Sequence, residues 1–250
     1  MKKILLSTAA AGILISNSAF SVADDNTAWG YTGKIGPEHW GDLSESWSTC
    51  STGTSQSPID IVFETPSKDN AITTNYNETG ISVLNNGHTI QQNYDAGSTL
   101  KSGGGEYDLV QFHFHSPSEH TFNGEHFPLE VHLVHADKQG NLAVVGVMFE
   151  EGAANQVVEK VWETMPDTAN TTASSDQMLN AKNLLPKDMN FALYSGSLTT
   201  PPCSEGVRWH VVKQPLTVSD DQISKFKSIL HDNNRPVLPL NGRKVETISN

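Results

Sequence analysis

Short runs of alternating polar and apolar residues dominate this chain from residue 81 onward. Alternation with a period of two is typical of β-strands, because successive side chains point to opposite faces of a sheet. Clusters of turn-forming residues separate the runs at 85–87, 103–105 and 138–140. The pattern predicts strands over residues 81–84, 89–93, 107–115, 129–135 and 142–149.

Helical periodicity is found in two segments. The first, residues 155–164, ends before Pro166, and the second follows Ser219, which is a favourable N-cap residue. Their apolar side chains are Val157, Val158, Val161 and Trp162 in the first segment and Ile223, Phe226, Ile229 and Leu230 in the second. The sequence therefore predicts a mainly β (α+β) fold, with one mostly antiparallel sheet and short helices around it.

The N-terminus has the features of an export signal. Lys2 and Lys3 precede an apolar stretch at residues 4–15, and small residues at 21–23 form a cleavage site. The stretch is shorter than the roughly 20 residues that a membrane helix needs, although a retained anchor is the alternative. We therefore expect a signal peptide at 1–23 and a single domain at 24–250. Its first part, 24–54, is too rich in aromatic residues for a disordered tail and is expected to form an ordered arm.

Charge narrows the choice of partners. Removal of the signal leaves 14 basic against 28 acidic side chains, a formal net charge of −14. Nucleic acids require clustered lysine and arginine, so nucleic-acid binding is not expected. No later segment has the length of apolar sequence that would span a membrane.

The chain contains two cysteines, Cys50 and Cys203. In an exported protein such a pair predicts one disulfide, and two unpaired buried thiols are the alternative. Neither cysteine has a close second cysteine, which argues against a zinc site built on thiolates.

The segment Gln-Phe-His-Phe-His at 111–115 carries the strongest chemical signal. On a strand, His113 and His115 point to one face and the two phenylalanines to the other. His132, on the next predicted strand, supplies a third imidazole. In proteins, a set of three histidines can hold a catalytic Zn²⁺ and leave its fourth position open. Carbonic anhydrase is the standard example of this arrangement.

Alternatives to this ligand set remain open on spacing alone. His120, His126 and His135 compete with His132, although His135 lies three residues later and so faces the other way. Glu130 and Gln111 are each two residues from a histidine of the set, where they can accept its second ring N–H. A cupin-type site, which combines histidines and a glutamate around iron or manganese, has similar spacing.

The chain resembles the α-class carbonic anhydrases over essentially all of residues 24–250. The matching segments, in the order of that family, are residues 29–31, 36–40, 56–60, 85–88, 111–115, 118–121, 130–135, 194–202 and 233–236. The resemblance implies a single domain with a large twisted central sheet. It also implies zinc-dependent, reversible hydration of carbon dioxide to bicarbonate and a proton, by attack of zinc-bound hydroxide.

Carried over residue by residue, the resemblance implies that His113, His115 and His132 bind zinc. Thr199 then orients the hydroxide with Glu119 as its hydrogen-bond partner, and His88 is the proton shuttle. The remaining implied positions are Val134, Val144, Leu198, Thr200 and Trp209 in the substrate pocket, Tyr31, Asn86 and Gln91 in the water network, Gln111 and Glu130 behind the ligands, His120 as a structural hydrogen-bonding residue, and a Cys50–Cys203 disulfide.

Two further expectations follow. A short, lysine-led signal favours a periplasmic location, with secretion as the alternative, and the sequence leaves a homodimer open. A catalytically silent binding protein on the same fold is the competing function. Silent relatives lack one or more of the zinc histidines, whereas all three are present here.

Overall fold

The computed structural model describes residues 27–250. In that range the strands are β1 (Asp60–Ile61), β2 (Thr73–Asn75), β3 (Thr79–Asn85), β4 (Ile90–Asn93), β5 (Thr99–Ser102), β6 (Gly105–His115), β7 (Thr121–Phe122), β8 (Glu125–His126), β9 (Leu129–Ala136), β10 (Leu142–Glu151), β11 (Thr171–Leu179), β12 (Phe191–Ser197), β13 (Glu205–Val218) and β14 (Glu246–Ile248). The α-helices are α1 (Trp40–Leu43), α2 (Thr49–Thr52), α3 (Gln156–Thr164) and α4 (Asp220–Leu230), and 3₁₀ turns span Gly33–Ile35, Glu45–Trp47 and Ala181–Leu184.

One eleven-stranded sheet forms the body of the protein. Its main path runs β11, β3, β4, β6, β9, β10, β13, β12, β14, and β2 pairs with β5, which joins β6. Strands β10 and β13 are parallel, and the other pairs of this sheet are antiparallel. The smaller sheet contains β1, β7 and β8. The prediction of a mainly β fold with one mostly antiparallel sheet is confirmed.

The five predicted strands correspond to β3, β4, β6, β9 and β10, and the two predicted helices to α3 and α4. Asn155 caps α3 by accepting from the N–H groups of Val157 and Val158, and Ser219 caps α4 in a capping box with Gln222. Local sequence patterns therefore identified these elements because each has its own periodicity or cap.

Nine of the fourteen strands in the described residues were not predicted, and the three longest of these, β11, β12 and β13, each have a physical reason. β11 lies at the edge of the sheet and is mostly exposed and polar, so it carries no apolar alternation. β12 and the middle of β13 are buried on both faces, which likewise removes the alternation that marks a half-buried strand. Their pairing partners, rather than their own patterns, define them.

The two faces of the sheet bury separate apolar clusters. On the first face, Phe112 and Phe114 of β6 pack in the main core beneath α3 and α4, with Phe114 4.7 Å from the Trp162 ring. On the second face, Val144 and Trp209 belong to a smaller cluster. Because side chains alternate along β6, its histidines point to the second face.

Residues 27–54 of the N-terminal arm are ordered, as expected. The Trp40 indole N–H lies 2.9 Å from the carbonyl of Gly30, and Trp40 and Trp47 form a buried cluster with Cys50 and Cys203. Those two cysteines are joined in a disulfide across 153 residues of sequence, which confirms the predicted pairing. The bridge ties the arm to the loop between β12 and β13.

From residue 27 to residue 250, no helix is long and apolar enough to cross a membrane. The predicted signal peptide at 1–23 lies outside the described residues.

Candidate metal centre and active site

Strands β6 and β9 bring three histidines together on the second face of the sheet. His113 is directly opposite His132 in the antiparallel register, and His115 is opposite Glu130. One ring nitrogen from each of the three histidines lies within 4.8 Å of the other two. The set is nearly enclosed, since His115 and His132 are each 1% exposed. The arrangement provides three nitrogen donors for one metal ion.

The second nitrogen of each ring is fixed by an acceptor. Nδ1 of His113 lies 2.8 Å from Oε1 of Gln111, and Nδ1 of His115 lies 2.8 Å from the carbonyl oxygen of Asn233. Nε2 of His132 lies 2.8 Å from Oε1 of Glu130. Each acceptor requires an N–H at that position, so Nε2 of His113, Nε2 of His115 and Nδ1 of His132 keep their lone pairs. This assignment matches what a metal ion needs from three imidazoles.

The electrostatic environment keeps two of the three rings neutral. Burial, reinforced by the neighbouring histidines, holds the pKa of His113 well below its usual value and also lowers that of His115. For His132, burial again lowers the pKa, but the charge and hydrogen bond of Glu130 outweigh it, and the net shift is upward. Glu130 therefore increases the basicity of the ring that it orients.

Two buried atoms at this site fit a cation. Within the described residues, Nε2 of His115 and Oε2 of Glu119 have no hydrogen-bond partner, and they lie 3.6 Å apart. A buried lone pair and a buried carboxylate oxygen are costly to leave unpaired. A metal ion would bind the lone pair of His115, its positive charge would offset the nearby carboxylate, and a three-imidazole donor set suits Zn²⁺.

Glu130 is the centre of the hydrogen-bond network behind the histidines. Its Oε1 accepts from the rings of His120 and His132, each at 2.8 Å, and its Oε2 accepts from the backbone N–H groups of Glu119 and His120. Burial alone would raise the pKa of Glu130, but His120 and His132 hold it well below its usual range. A Cβ on Gly146 would lie 3.0 Å from Oε1, so glycine leaves room for this carboxylate.

The other histidines that the sequence left open as ligands have different partners. Nδ1 of His120 lies 2.8 Å from Glu130, and its Nε2 lies 2.6 Å from the Tyr194 hydroxyl. His135 lies 2.8 Å from the Tyr76 hydroxyl, and His126 lies 2.7 Å from the carbonyl of Ser118. His120, Glu130 and His132 form a second group of possible ligands, but hydrogen bonds within the group already occupy it.

The expected bond between Thr199 and Glu119 is not among the hydrogen bonds of the described residues. Oε1 of Glu119 accepts from the backbone N–H of Arg235 at 2.9 Å, and Oε2 is the unpartnered atom noted above. Thr199 is 5% exposed and belongs to the loop that the disulfide anchors. The pairing of Thr199 with Glu119 stays a prediction.

A cavity of about 140 Å³ leads to the histidines. His88 lies at this cavity with its ring stacked on Trp29, at a centroid distance of 3.7 Å and an interplanar angle of 7°. Burial lowers the pKa of His88 below its usual value. Oδ1 of Asn86 accepts from the backbone N–H of His88 at 2.9 Å and so fixes the turn that carries His88. The cavity is lined by Trp29, Tyr31, Asn86, His88, Thr89, Gln91, Gln111, His113, His115 and Thr200.

The two other polar positions expected in the water network also line this cavity. The Tyr31 hydroxyl is buried and has no hydrogen-bond partner within residues 27–250. Burial, with a contribution from Glu119, holds the pKa of Tyr31 well above its usual value, so the phenol stays protonated. The Gln91 amide donates to Asn93 at 2.7 Å.

The residues expected to form the substrate wall are brought together on the same face. Val144 and Trp209 are each 2% exposed, and Val134 and Leu198 pack against the cluster that contains them. The Trp209 ring lies 4.8 Å from the His132 ring. An apolar surface therefore borders the metal-binding group.

Several residues of the site were not assigned these roles from the sequence. Asn233 acts on His115 through a backbone carbonyl, and Arg235 acts on Glu119 through a backbone N–H, so neither side chain gives a signal. Trp29 was identified only as part of an ordered arm, and Tyr194 only as part of a matching segment. These contacts depend on the tertiary fold.

Comparison with known proteins agrees with this geometry. A family model for eukaryotic-type carbonic anhydrase matches residues 35–249. The chain is 46% identical to a carbonic anhydrase of Klebsiella pneumoniae over 235 residues, which are 93% of this chain and 96% of that protein. The structure superposes with a TM-score of 0.85 on a hyperthermostable carbonic anhydrase from a hydrothermal vent chimney, at 48% identity over 89% of this chain and 100% of that one. Against the α-carbonic anhydrase of Thermovibrio ammonificans, solved with the inhibitor sulfanilamide, the TM-score is 0.84 at 46% identity, covering 88% of this chain and 99% of that one.

Replacement of Glu130 by glutamine tests the network behind the histidines. The amide loses the negative charge and brings an NH₂ group toward donors, so we expect zinc affinity to fall by roughly 10- to 100-fold. Competition with a chromophoric chelator measures this affinity. Glu151→Gln, at an exposed end of β10, is the matched control. Unchanged affinity in Glu130→Gln would show that the network does not support metal binding.

Proposed function

We propose a zinc-dependent mechanism for this chain, which belongs to the eukaryotic-type carbonic anhydrase family and shares its hydration of carbon dioxide. The zinc ion is held by His113, His115 and His132. We further propose that His88 carries the released proton to solvent. The observation that carries this proposal is the set of three inward-facing imidazole lone pairs, each fixed by an acceptor on its other nitrogen.

Zinc is favoured over iron or manganese by the donor set. The converging donor group consists of three imidazole nitrogens and contains no carboxylate, which suits a tetrahedral zinc site, whereas cupin-type sites use carboxylate help. Glu130, the carboxylate nearest in sequence to His132, already accepts four hydrogen bonds. In enzymes of this class zinc supplies a nucleophile at neutral pH by lowering the pKa of its bound water to about 7.

The surrounding residues then orient the attacking oxygen, provide a surface for carbon dioxide and move the released proton. Glu119 and Thr199 orient the attacking oxygen: if Thr199 donates its hydroxyl proton to Oε2 of Glu119, its own oxygen is left to accept. The unpartnered Oε2 supports this role, because it is free to receive that proton. Val134, Val144, Leu198 and Trp209, with Thr200 at the cavity, offer a largely apolar surface that suits uncharged carbon dioxide.

His88 is suited to move the proton away from the site. The imidazole lines the same cavity as His113 and is partly exposed, so it has access to both ends of the route. Its pKa is lowered by burial, which keeps the ring neutral and able to accept a proton near pH 7. Tyr31, Asn86 and Gln91 line the space in which ordered water would connect the two.

We also propose a location and an organisation for the protein. A signal peptide at 1–23 would export a single catalytic domain at 24–250 to the periplasm. The Cys50–Cys203 disulfide supports an oxidising compartment. The substrates are small molecules, nucleic acid is not a partner, and a homodimer is compatible with the sequence.

Substitution of His113 by alanine tests the metal assignment. We expect zinc content to fall from one ion per chain toward zero and carbon dioxide hydration to fall to the rate of buffer alone. Metal analysis and stopped-flow hydration measure the two effects on the same sample. His39→Ala, at an exposed position, is the control and should retain both. Full activity in His113→Ala without bound zinc would contradict the proposal.

Substitution of His88 by alanine tests the shuttle. We expect kcat in weak buffer to fall on the order of 100-fold, the low end of what a positioned proton acceptor contributes, because water partly replaces it. The value of kcat/KM and the zinc content should not change, since neither involves this transfer. Imidazole buffer should restore part of kcat. Wild-type behaviour in weak buffer would remove His88 from the mechanism.

A further inference from the structure

A second, larger cavity lies away from the metal-binding group. It encloses about 480 Å³ between the turn after β9, strands β12 and β13, and the segment that leads into β14. Arg208 of β13 lines it and precedes Trp209, so strand alternation directs the two side chains to opposite faces of the sheet. None of the residues that line the smaller cavity at the histidines lines this one, so the two cavities are separate.

The Arg208 side chain is held by a series of hydrogen bonds that leads into the interior. Its Nε donates to the hydroxyl of Ser102 at 2.8 Å, and that hydroxyl lies 2.7 Å from Nε2 of His210. Burial lowers the pKa of His210 to about 3, so its ring is neutral; Nδ1 donates to the carbonyl of Val144 at 3.2 Å, and Nε2 accepts from Ser102. Each donor in this hydrogen-bonded series, from Arg208 to His210, has an acceptor. The guanidinium is therefore positioned before any ligand arrives.

Gly103 lies directly against the guanidinium. A Cβ at this residue would lie 2.9 Å from Cζ of Arg208, so a larger residue would push the guanidinium away. Gly103 also has a φ of +56°, a conformation that side chains disfavour. The turn between β5 and β6 thus supports the arginine closely from one side.

Arg208 has no acidic partner in the part of the chain that the structure describes. No carboxylate forms an ion pair with it there, and no acceptor is bonded to its Nη1 or Nη2 atoms. By contrast, Arg235 and Arg243 direct their terminal nitrogens to carbonyl or amide oxygens. In a chain with 28 acidic and 16 basic residues, a half-buried arginine without such a partner is unusual.

The rest of the cavity supplies further donors and one acidic group. Tyr107, Asn141 and Ser195 line it with polar side chains, and Lys244 adds a second cation. Glu246 also lines the cavity, and its carboxylate is paired with Lys244 at 3.3 Å. Its charge is offset by that lysine, which leaves the Arg208 guanidinium as the free positive group.

We propose that this cavity binds a planar oxyanion of carboxylate geometry, with two of its oxygens on the terminal nitrogens of Arg208. The guanidinium fork matches two oxygens on one carbon, and such charge-assisted pairs are among the stronger hydrogen bonds. Bicarbonate and small organic carboxylates share this chemistry. The proposal does not depend on the zinc or shuttle assignments, since none of their residues lines this cavity.

Titration of the ¹⁵N-labelled zinc-loaded protein with acetate, and separately with bicarbonate, at constant ionic strength tests this site. We expect saturable shifts of the Arg208 Nε–H resonance and of the Gly103–Gly105 amides, with dissociation constants on the order of millimolar. Anion binding at zinc would shift resonances near His113 instead, so the two sites are read separately. A response to both anions assigns general carboxylate binding, and a response to bicarbonate alone assigns the reaction product.

Two variants and a control decide the outcome. Arg208→Gln should weaken the response at Gly103–Gly105 by at least tenfold, and Arg208→Lys, which keeps the charge but lacks the fork, should weaken it less. Lys187→Gln removes one exposed positive charge elsewhere and should change nothing. An unaltered backbone spectrum confirms that each variant is folded. Equal responses in wild type and Arg208→Gln, or no saturable response to either anion, would overturn the proposal.

Discussion

The pairing register of β6 and β9 is the constraint on which both the core and the active site depend. His113 lies opposite His132 in this register. Phe112, just before His113, and Phe114, just after it, point to the other face and enter the main core. A shift of one residue would send every side chain of the strand to the other face. It would bury imidazoles among apolar side chains and expose phenylalanine. Burial of the phenylalanine face therefore stabilises the same register that assembles the metal-binding face.

Around that register, hydrogen bonds pair most of the buried polar atoms of the site. Glu130 receives four N–H donors, Asn233 receives the His115 ring, and Gln111 receives the His113 ring. Four buried side-chain atoms stay unpaired in the described residues, and two of them, Nε2 of His115 and Oε2 of Glu119, lie where the histidines converge. Since buried polar groups are usually paired, these two neighbouring atoms indicate where a cation would bind.

Much of this was predictable from sequence, because period-two alternation and two-residue spacing are local. They placed His113, His115, Gln111 and Glu130 on one face, the cysteine count predicted the disulfide, and the resemblance added the residues of the cavity. Contacts between distant segments were not predictable: the carbonyl that orients His115 is 118 residues away. The edge strand β11 and the doubly buried β13 also lack a local signal. The same holds for the position of the Arg208 guanidinium, which Ser102 and His210 fix on the opposite face.

The most direct test of the central claim is stopped-flow hydration of carbon dioxide by the mature protein, measured before zinc removal by a chelator, after it, and after zinc is added back. The account predicts fast hydration that is lost with the metal and restored by one zinc per chain. Hydration that persists in the metal-free protein, or its absence when one zinc is bound, would contradict it. The second result would instead indicate a binding protein on a carbonic anhydrase fold.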